Sequence, residues 1–148
     1  MPHAGLMNER SLGPEKGPLL RARLHIIGGK KRLKEGDISA GIVTLYDALN
    51  GAMEWYIASP ERMMRLLVAE GDDLNDDRSV YDILVRSQVL DGSFDFVAFD
   101  RLVEKALHEE MPDYNYHKML KGLETVMIRL GVMSYDELAP SPEDLETH

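Results

Sequence analysis

The sequence predicts an all-α fold: a single-domain bundle of five or six mostly antiparallel helices, preceded by an N-terminal arm and followed by an acidic C-terminal tail. Three observations carry this reading. Apolar residues recur at helical spacing in segment after segment, most regularly at Tyr116, Met119, Leu120, Leu123, Val126, Met127 and Leu130, which mark one helix face. Start and stop signals separate the segments. No alternating run of strand length occurs, since DGSFDFVAF alternates at Phe94 and Phe96 and then fails. A chain of 148 residues can bury ~70% of its unfolded surface in one core, so it needs neither disulfide nor metal to fold.

The elements follow in order. Residues 1–18 are polar, contain Gly5, Gly13, Pro14 and Gly17, and read as an extended arm. Residues 19–133 form the helical domain and 134–148 the tail. A first helix is expected from Leu19 to Glu35, with Gly28 and Gly29 as a possible kink because each mid-helix glycine costs ~1 kcal/mol relative to alanine. Asp37 caps a second helix over residues 38–58, apolar over most of its circumference through Ile42, Leu45, Leu49, Ala52, Met53 and Tyr56, with Val43, Tyr46 and Trp55 beside them. Such a helix belongs at the centre of a bundle. Ser59-Pro60-Glu61 supplies an N-cap hydroxyl, a proline at the first helical position and a first-turn acid, so a third helix is expected to run through Met63, Met64, Leu67 and Val68 to Gly71.

After the acidic loop GDDLNDD, Ser79 and Asp82 have the form of a capping box ahead of Ile83 and Leu84, and Asp91-Gly92 is the expected end of that short helix. Ser93 is expected to begin a fifth helix with Phe96, Phe99, Val103, Ala106 and Leu107 on one face, broken at Met111-Pro112. The sixth closes at Gly131. Met63, Met64, Met119 and Met127 fall at core spacings and read as gap-filling side chains. Tyr114, Tyr116 and His117 read as a half-buried helix entry or the wall of a pocket.

Charge divides the chain. Residues 1–35 hold eight Lys/Arg against three acids, +5, and the rest nine against 23, −14, giving the net −9. Arg21, Arg23, Lys30, Lys31, Arg32 and Lys34 are the candidate residues for an anionic partner. The same polarity is met if the basic segment packs against an acidic body. Between outside partners, an acidic protein surface, that of another copy included, is favoured over nucleic acid. The body is acidic, and no Phe, Tyr or Trp occurs in residues 1–45 to stack on bases.

Much chemistry is excluded. The absence of Cys removes disulfides, thiolate metal sites and thiol nucleophiles. Gly29-Lys30-Lys31 lacks the upstream glycine and the following Ser/Thr of a phosphate loop. A calcium loop from Asp73 meets Arg78 and Leu84 where glycine and a bidentate acid are required. Asp47 and Glu54, with Thr44 and Asn50, form a polar stripe on the second helix that reads as its exposed edge rather than a paired-carboxylate metal site. No metal or cofactor is expected. No secretory apolar stretch and no membrane-length apolar run occurs, so a cytoplasmic protein without membrane association is the expectation.

Two local resemblances arise. Gly36-Asp37-x-x-x-Gly41-Ile42-x-x-Leu45-x-x-Ala48-Leu49 resembles the second helix of a tetratricopeptide repeat, with Gly41 replacing the usual alanine, Leu45 the usual aromatic, and no second copy at the repeat distance. Arg101 and His108 resemble the Arg-x4-6-His motif of the HEPN family of helical dimers, many of them metal-independent ribonucleases. That resemblance implies Arg101 as a phosphate-stabilising group and His108 as a general acid or base. The polar residue usual after the arginine is here Leu102. Read from the residues, Arg101, Glu104, Lys105 and His108 are a mixed-charge stripe facing solvent. The function expected is protein–protein association without assigned catalysis, self-association through the basic segment and the acidic body, with the HEPN-like ribonuclease or RNA-binding dimer as the alternative.

Overall fold

A computed structural model describes residues 9–134 of the chain. It contains helices α1 (Glu9–Lys34), α2 (Ile38–Ala58), α3 (Pro60–Met63), α4 (Asp77–Arg86), α5 (Phe96–His108) and α6 (His117–Leu130), and no strand among the described residues. The all-α single-domain expectation holds. Helix α2 is central and touches all five others, as its nearly continuous apolar surface requires. No helix is long and apolar enough to cross a membrane among the described residues. The acidic tail lies outside them.

The architecture rests on the hairpin of α1 and α2. Helix α1 ends in a Schellman motif, in which Gly36 (φ 85°) allows its own amide to reach Leu33 O at 3.1 Å and the Asp37 amide to reach Arg32 O at 2.9 Å. The chain reverses at once into α2. The two backbones then lie so close that a Cβ built on Gly29 would stand 2.6 Å from Leu45 Cδ2, and one on Gly41 2.7 Å from Leu33 Cδ2. A Cβ on Gly51 would meet backbone: 3.0 Å from Pro18 O and 3.1 Å from Ala22 N. Gly29 therefore does not kink α1; it is the contact surface.

The start of α1 is the main correction. The extended arm was expected to reach residue 18, yet helix begins at Glu9, breaks at Gly13 (φ 91°, ψ 178°) and resumes at Pro14. Gly17 and Pro18 are buried, and the Pro18 carbonyl lies against Gly51 of α2. Their weak helix propensity is outweighed by docking, and Pro14 suits a restart because a first-turn residue has no acceptor for an amide. Residues 1–8 lie outside the described residues.

Other boundaries move too, the end of the third helix by eight residues. Ser59 caps α3 as expected, accepting from the Arg62 amide at 3.3 Å, but the helix stops at Met63. Met64, Leu67 and Val68 are 86%, 61% and 45% exposed; with no surface to pack on, so short a helix cannot propagate. Met64 is thus not core, while Met127 is buried and Met63 and Met119 are partly so. The following loop is pinned instead, with Arg86 Nη1 donating to Leu67 O at 2.7 Å and to Asp72 Oδ2 at 2.8 Å. That guanidinium, with the Ala69 amide, holds the Asp72 carboxyl below its usual range. Asp76 rather than Ser79 caps α4, accepting from the Ser79 amide at 3.0 Å. Helix α4 ends at Arg86, before the expected stop, because Gln88 takes the left-handed conformation (φ 64°) and the Val89 amide reaches Leu84 O at 3.0 Å. Asp95, not Ser93, caps α5 through the Ala98 amide at 3.0 Å, and Leu107 is 58% exposed. Helix α6 and its closure at Gly131 (φ 93°) match the expectation.

The neighbouring glycines of α1 and α2 separate propensity from packing. Gly28→Ala places its Cβ at ordinary contact, 3.5 Å from Arg32 Nη1, and should stabilise by up to about 1 kcal/mol. Gly51→Ala meets unyielding backbone and should destabilise by about 1–3 kcal/mol despite the same propensity gain. Urea denaturation of the two variants measures both.

Candidate functional site

The six candidate cations do not form one patch. Helical rotation sends them to different sides of α1, and four bind the protein's own groups. Arg21 Nη1 donates to Asp47 Oδ1 at 3.1 Å and Asn50 Oδ1 at 2.7 Å, and its Nη2 pairs with Glu54. His25 Nδ1 lies 3.4 Å from Asp47 Oδ2. Arg32 Nη1 donates to Thr44 Oγ1 at 3.1 Å. The stripe Thr44–Asp47–Asn50–Glu54, expected as an exposed edge, is about half exposed at its two acids and is the docking strip for α1. It continues to α4, where Asn50 Nδ2 and Tyr46 Oη each donate to Asp77 at 2.8 Å. Burial and that bond push the Tyr46 phenol well above its ordinary value. Among the described residues no three His, Asp or Glu side chains gather as a metal ligand set.

On the other flank of α1, Arg23 Nε donates to Val132 O at 3.1 Å, and Lys30 Nζ meets Glu124 Oε2 at 2.8 Å. Glu124 is 2% exposed, the most deeply buried acid among the described residues. The sequence reading passed over it, although Leu120, Glu124 and Met127 share the apolar face of α6 at spacings of four and three. Arg62 adds a further tie, donating to Glu15 Oε1 at 2.9 Å while its guanidinium carbon lies 3.8 Å from the centre of the Trp55 ring.

The outward face of α1 remains. Lys31 and Lys34 are exposed and make no ion pair among the described residues. Leu20, Leu24, Ile27, Lys31 and Lys34 fall at i, i+4, i+7, i+11 and i+14, opposite the buried Ala22, Ile26, Gly29 and Leu33. Leu24 is 44% and Ile27 65% exposed. A second exposed apolar group, Leu67, Val68 and Leu74, lies on the loop between α3 and α4 among Glu70, Asp73 and Asp76. Neither group was singled out from sequence: Leu67 and Val68 fit a core-facing helix period, and Leu74 stands alone in the acidic loop.

Arg101 and His108 both lie on exposed positions of α5. His108 Nε2 is 3.0 Å from Glu104 Oε1, with both side chains more than 70% exposed, the geometry of a solvated i,i+4 pair. Two clefts meet at residues 93–95. One, about 650 Å³, lies between α4 and the start of α5 beside Arg78, Tyr81, Asp82 and Arg86. The other, about 640 Å³, lies between α5 and α6 and is walled in part by Tyr114. Tyr116 and His117, expected with Tyr114, pair their rings 4.5 Å apart outside it.

Two measurements test these assignments. Lys30→Ala should destabilise by about 2–4 kcal/mol through the buried Glu124 carboxylate, and Lys30→Met combined with Glu124→Leu should recover most of that loss. Tyr81 Oη donates to Phe94 O at 2.6 Å, and burial raises its phenol from 10.0 to about 12. The folded state thus holds this proton more tightly than the unfolded state. Its contribution is complete below pH 10 and is lost as pH rises toward about 12, so Tyr81→Phe should flatten the alkaline limb of the stability profile. Compared with known proteins, the chain matches no family model, no curated protein and no solved structure.

Proposed function

We propose that the protein is a self-associating helical module in which the outward face of α1 on one copy binds the loop between α3 and α4 on another. The observation that carries this reading is the pairing of two exposed apolar groups with opposite charge. Leu24 and Ile27 are flanked by Lys31 and Lys34, whereas Leu67, Val68 and Leu74 are flanked by Glu70, Asp73 and Asp76. Exposed apolar groups ringed by charge are a common form of protein contact. The net charge of −9 makes two copies repel except where a cationic face meets an acidic one. Because the two surfaces differ, the contact is head-to-tail rather than two-fold.

The arrangement makes the test sharp. At low ionic strength, light scattering should give a mass above the 16.7 kDa of one chain, falling as salt screens the contact. Ile27→Glu spoils the α1 face and leaves the loop intact; Leu67→Lys does the reverse. Each variant alone should be monomeric, and an equimolar mixture should form heterodimers, because each supplies the surface that the other lacks. A wild-type chain that is monomeric at low salt, or a mixture that stays monomeric, overturns the reading.

A further inference from the structure

The cleft between α5 and α6 has the constitution of a ligand site and plays no part in the association reading. Its volume of about 640 Å³ lies in the range of small-molecule pockets. Phe94, Leu102 and Met119 give it a largely apolar lining. Gly122 lets the Phe94 ring lie close to α6, since a Cβ there would stand 3.1 Å from Phe94 Cδ1.

The polar groups around this lining sort by chemistry. Several are already committed: the Asp95 carboxylate accepts the Ala98 amide, the Thr125 hydroxyl donates to Lys121 O, and the Ser93 hydroxyl donates to Asp91. Asp95 keeps its second oxygen and its negative charge, and the other groups left over are donors. Lys118 and Lys121 make no ion pair among the described residues, and Lys has no acceptor. The Tyr114 phenol is half-buried and stays protonated, its titration pushed upward by burial. Asn115 spends its carbonyl oxygen on the His117 amide at 3.2 Å and keeps its NH2. Two cations and two neutral donors outweigh the single Asp95 carboxylate, and with the apolar lining they match a group that only accepts.

We infer that this cleft binds a small organic anion, a carboxylate or sulfonate carried on an aromatic or short aliphatic body, with the anionic group at Lys118 and Lys121 and the body on Phe94, Leu102 and Met119. In a chain of net charge −9, two unpaired lysines against one carboxylate, Asp95, leave this cavity locally cationic, opposite in sign to the whole molecule, which favours an anion at this place.

Two fluorescent probes with a common aromatic scaffold test the charge and the cavity separately: anilinonaphthalene sulfonate, and the neutral phenylnaphthylamine. The full chain should bind one equivalent of the sulfonate. Lys118→Ala with Lys121→Ala should weaken the sulfonate by about tenfold or more and leave the neutral probe within about twofold. Ala98→Trp, at an exposed position on the α5 wall, should abolish binding of both, and Thr125→Trp blocks the α6 wall should the first variant fail to fold. Ile27→Glu should change neither affinity. The inference is overturned by any of four results: no sulfonate binding, binding that survives the tryptophan block, equal weakening of both probes in the lysine variant, or loss of binding on Ile27→Glu.

Discussion

Two helical backbones that approach until a Cβ on one would press on the backbone of the other leave no room for a side chain between them, and this constraint organises the protein. Gly29, Gly41 and Gly51 supply the missing volume along the α1–α2 seam, and Leu33, Leu45 and Ala22 fill the spaces opposite. Close approach brings the flanks of α1 within reach of polar groups that a wider seam would leave in water. Arg21 spans Asp47, Asn50 and Glu54 from one flank only because the axes are so near. The apolar seam and the polar strip beside it are therefore one device.

Electrostatics then completes what the seam begins. The basic segment is largely a set of clamps: Arg21 and Arg32 fasten α1 to α2, Lys30 fastens it to α6, and Arg23 holds the chain just beyond α6. Part of the charge contrast between residues 1–35 and the rest of the chain is met inside the fold, where Arg21 pairs with Asp47 and Glu54 and Lys30 with Glu124. The candidate cations left unpaired, Lys31 and Lys34, lie at the C-terminal end of α1, where cations also favour the helix dipole. Lys118 and Lys121 on α6 form a separate and smaller basic locus beside the α5–α6 cleft.

The elements legible in the sequence are those whose signals are local. The period from Tyr116 to Leu130 and the central, all-round apolar α2 need no knowledge of their neighbours. Boundaries were legible to within a few residues where several capping side chains compete: Asp76 and Ser79, or Ser93 and Asp95, differ only in which one the backbone presents to the first turn. Features decided by tertiary contact were not legible. Gly17 and Pro18 look like breakers until Gly51 docks on the Pro18 carbonyl, and Met64, Leu67 and Val68 look like a helix face until no partner is found. The candidate cations were visible as a cluster in sequence, but their separation on the surface follows from rotation about α1. The glycines at 29, 41 and 51 were the available clue to the tight seam, legible only when read as contact positions rather than as weak helix formers.

The hairpin also bears on the order in which the molecule assembles. Its ties join residues close in sequence, 29 apart for Arg21 and Asn50, whereas the clamp between Lys30 and Glu124 closes a span of 94. Loop-closure entropy rises with that separation, so short-range contacts form first and long-range ones consolidate them. On a chain growing from its N-terminus, α1 and α2 can meet while α6 is still unmade. The cation that will neutralise Glu124 then stands ready on a finished scaffold, and docking of the last helix is the event that draws this acid out of water.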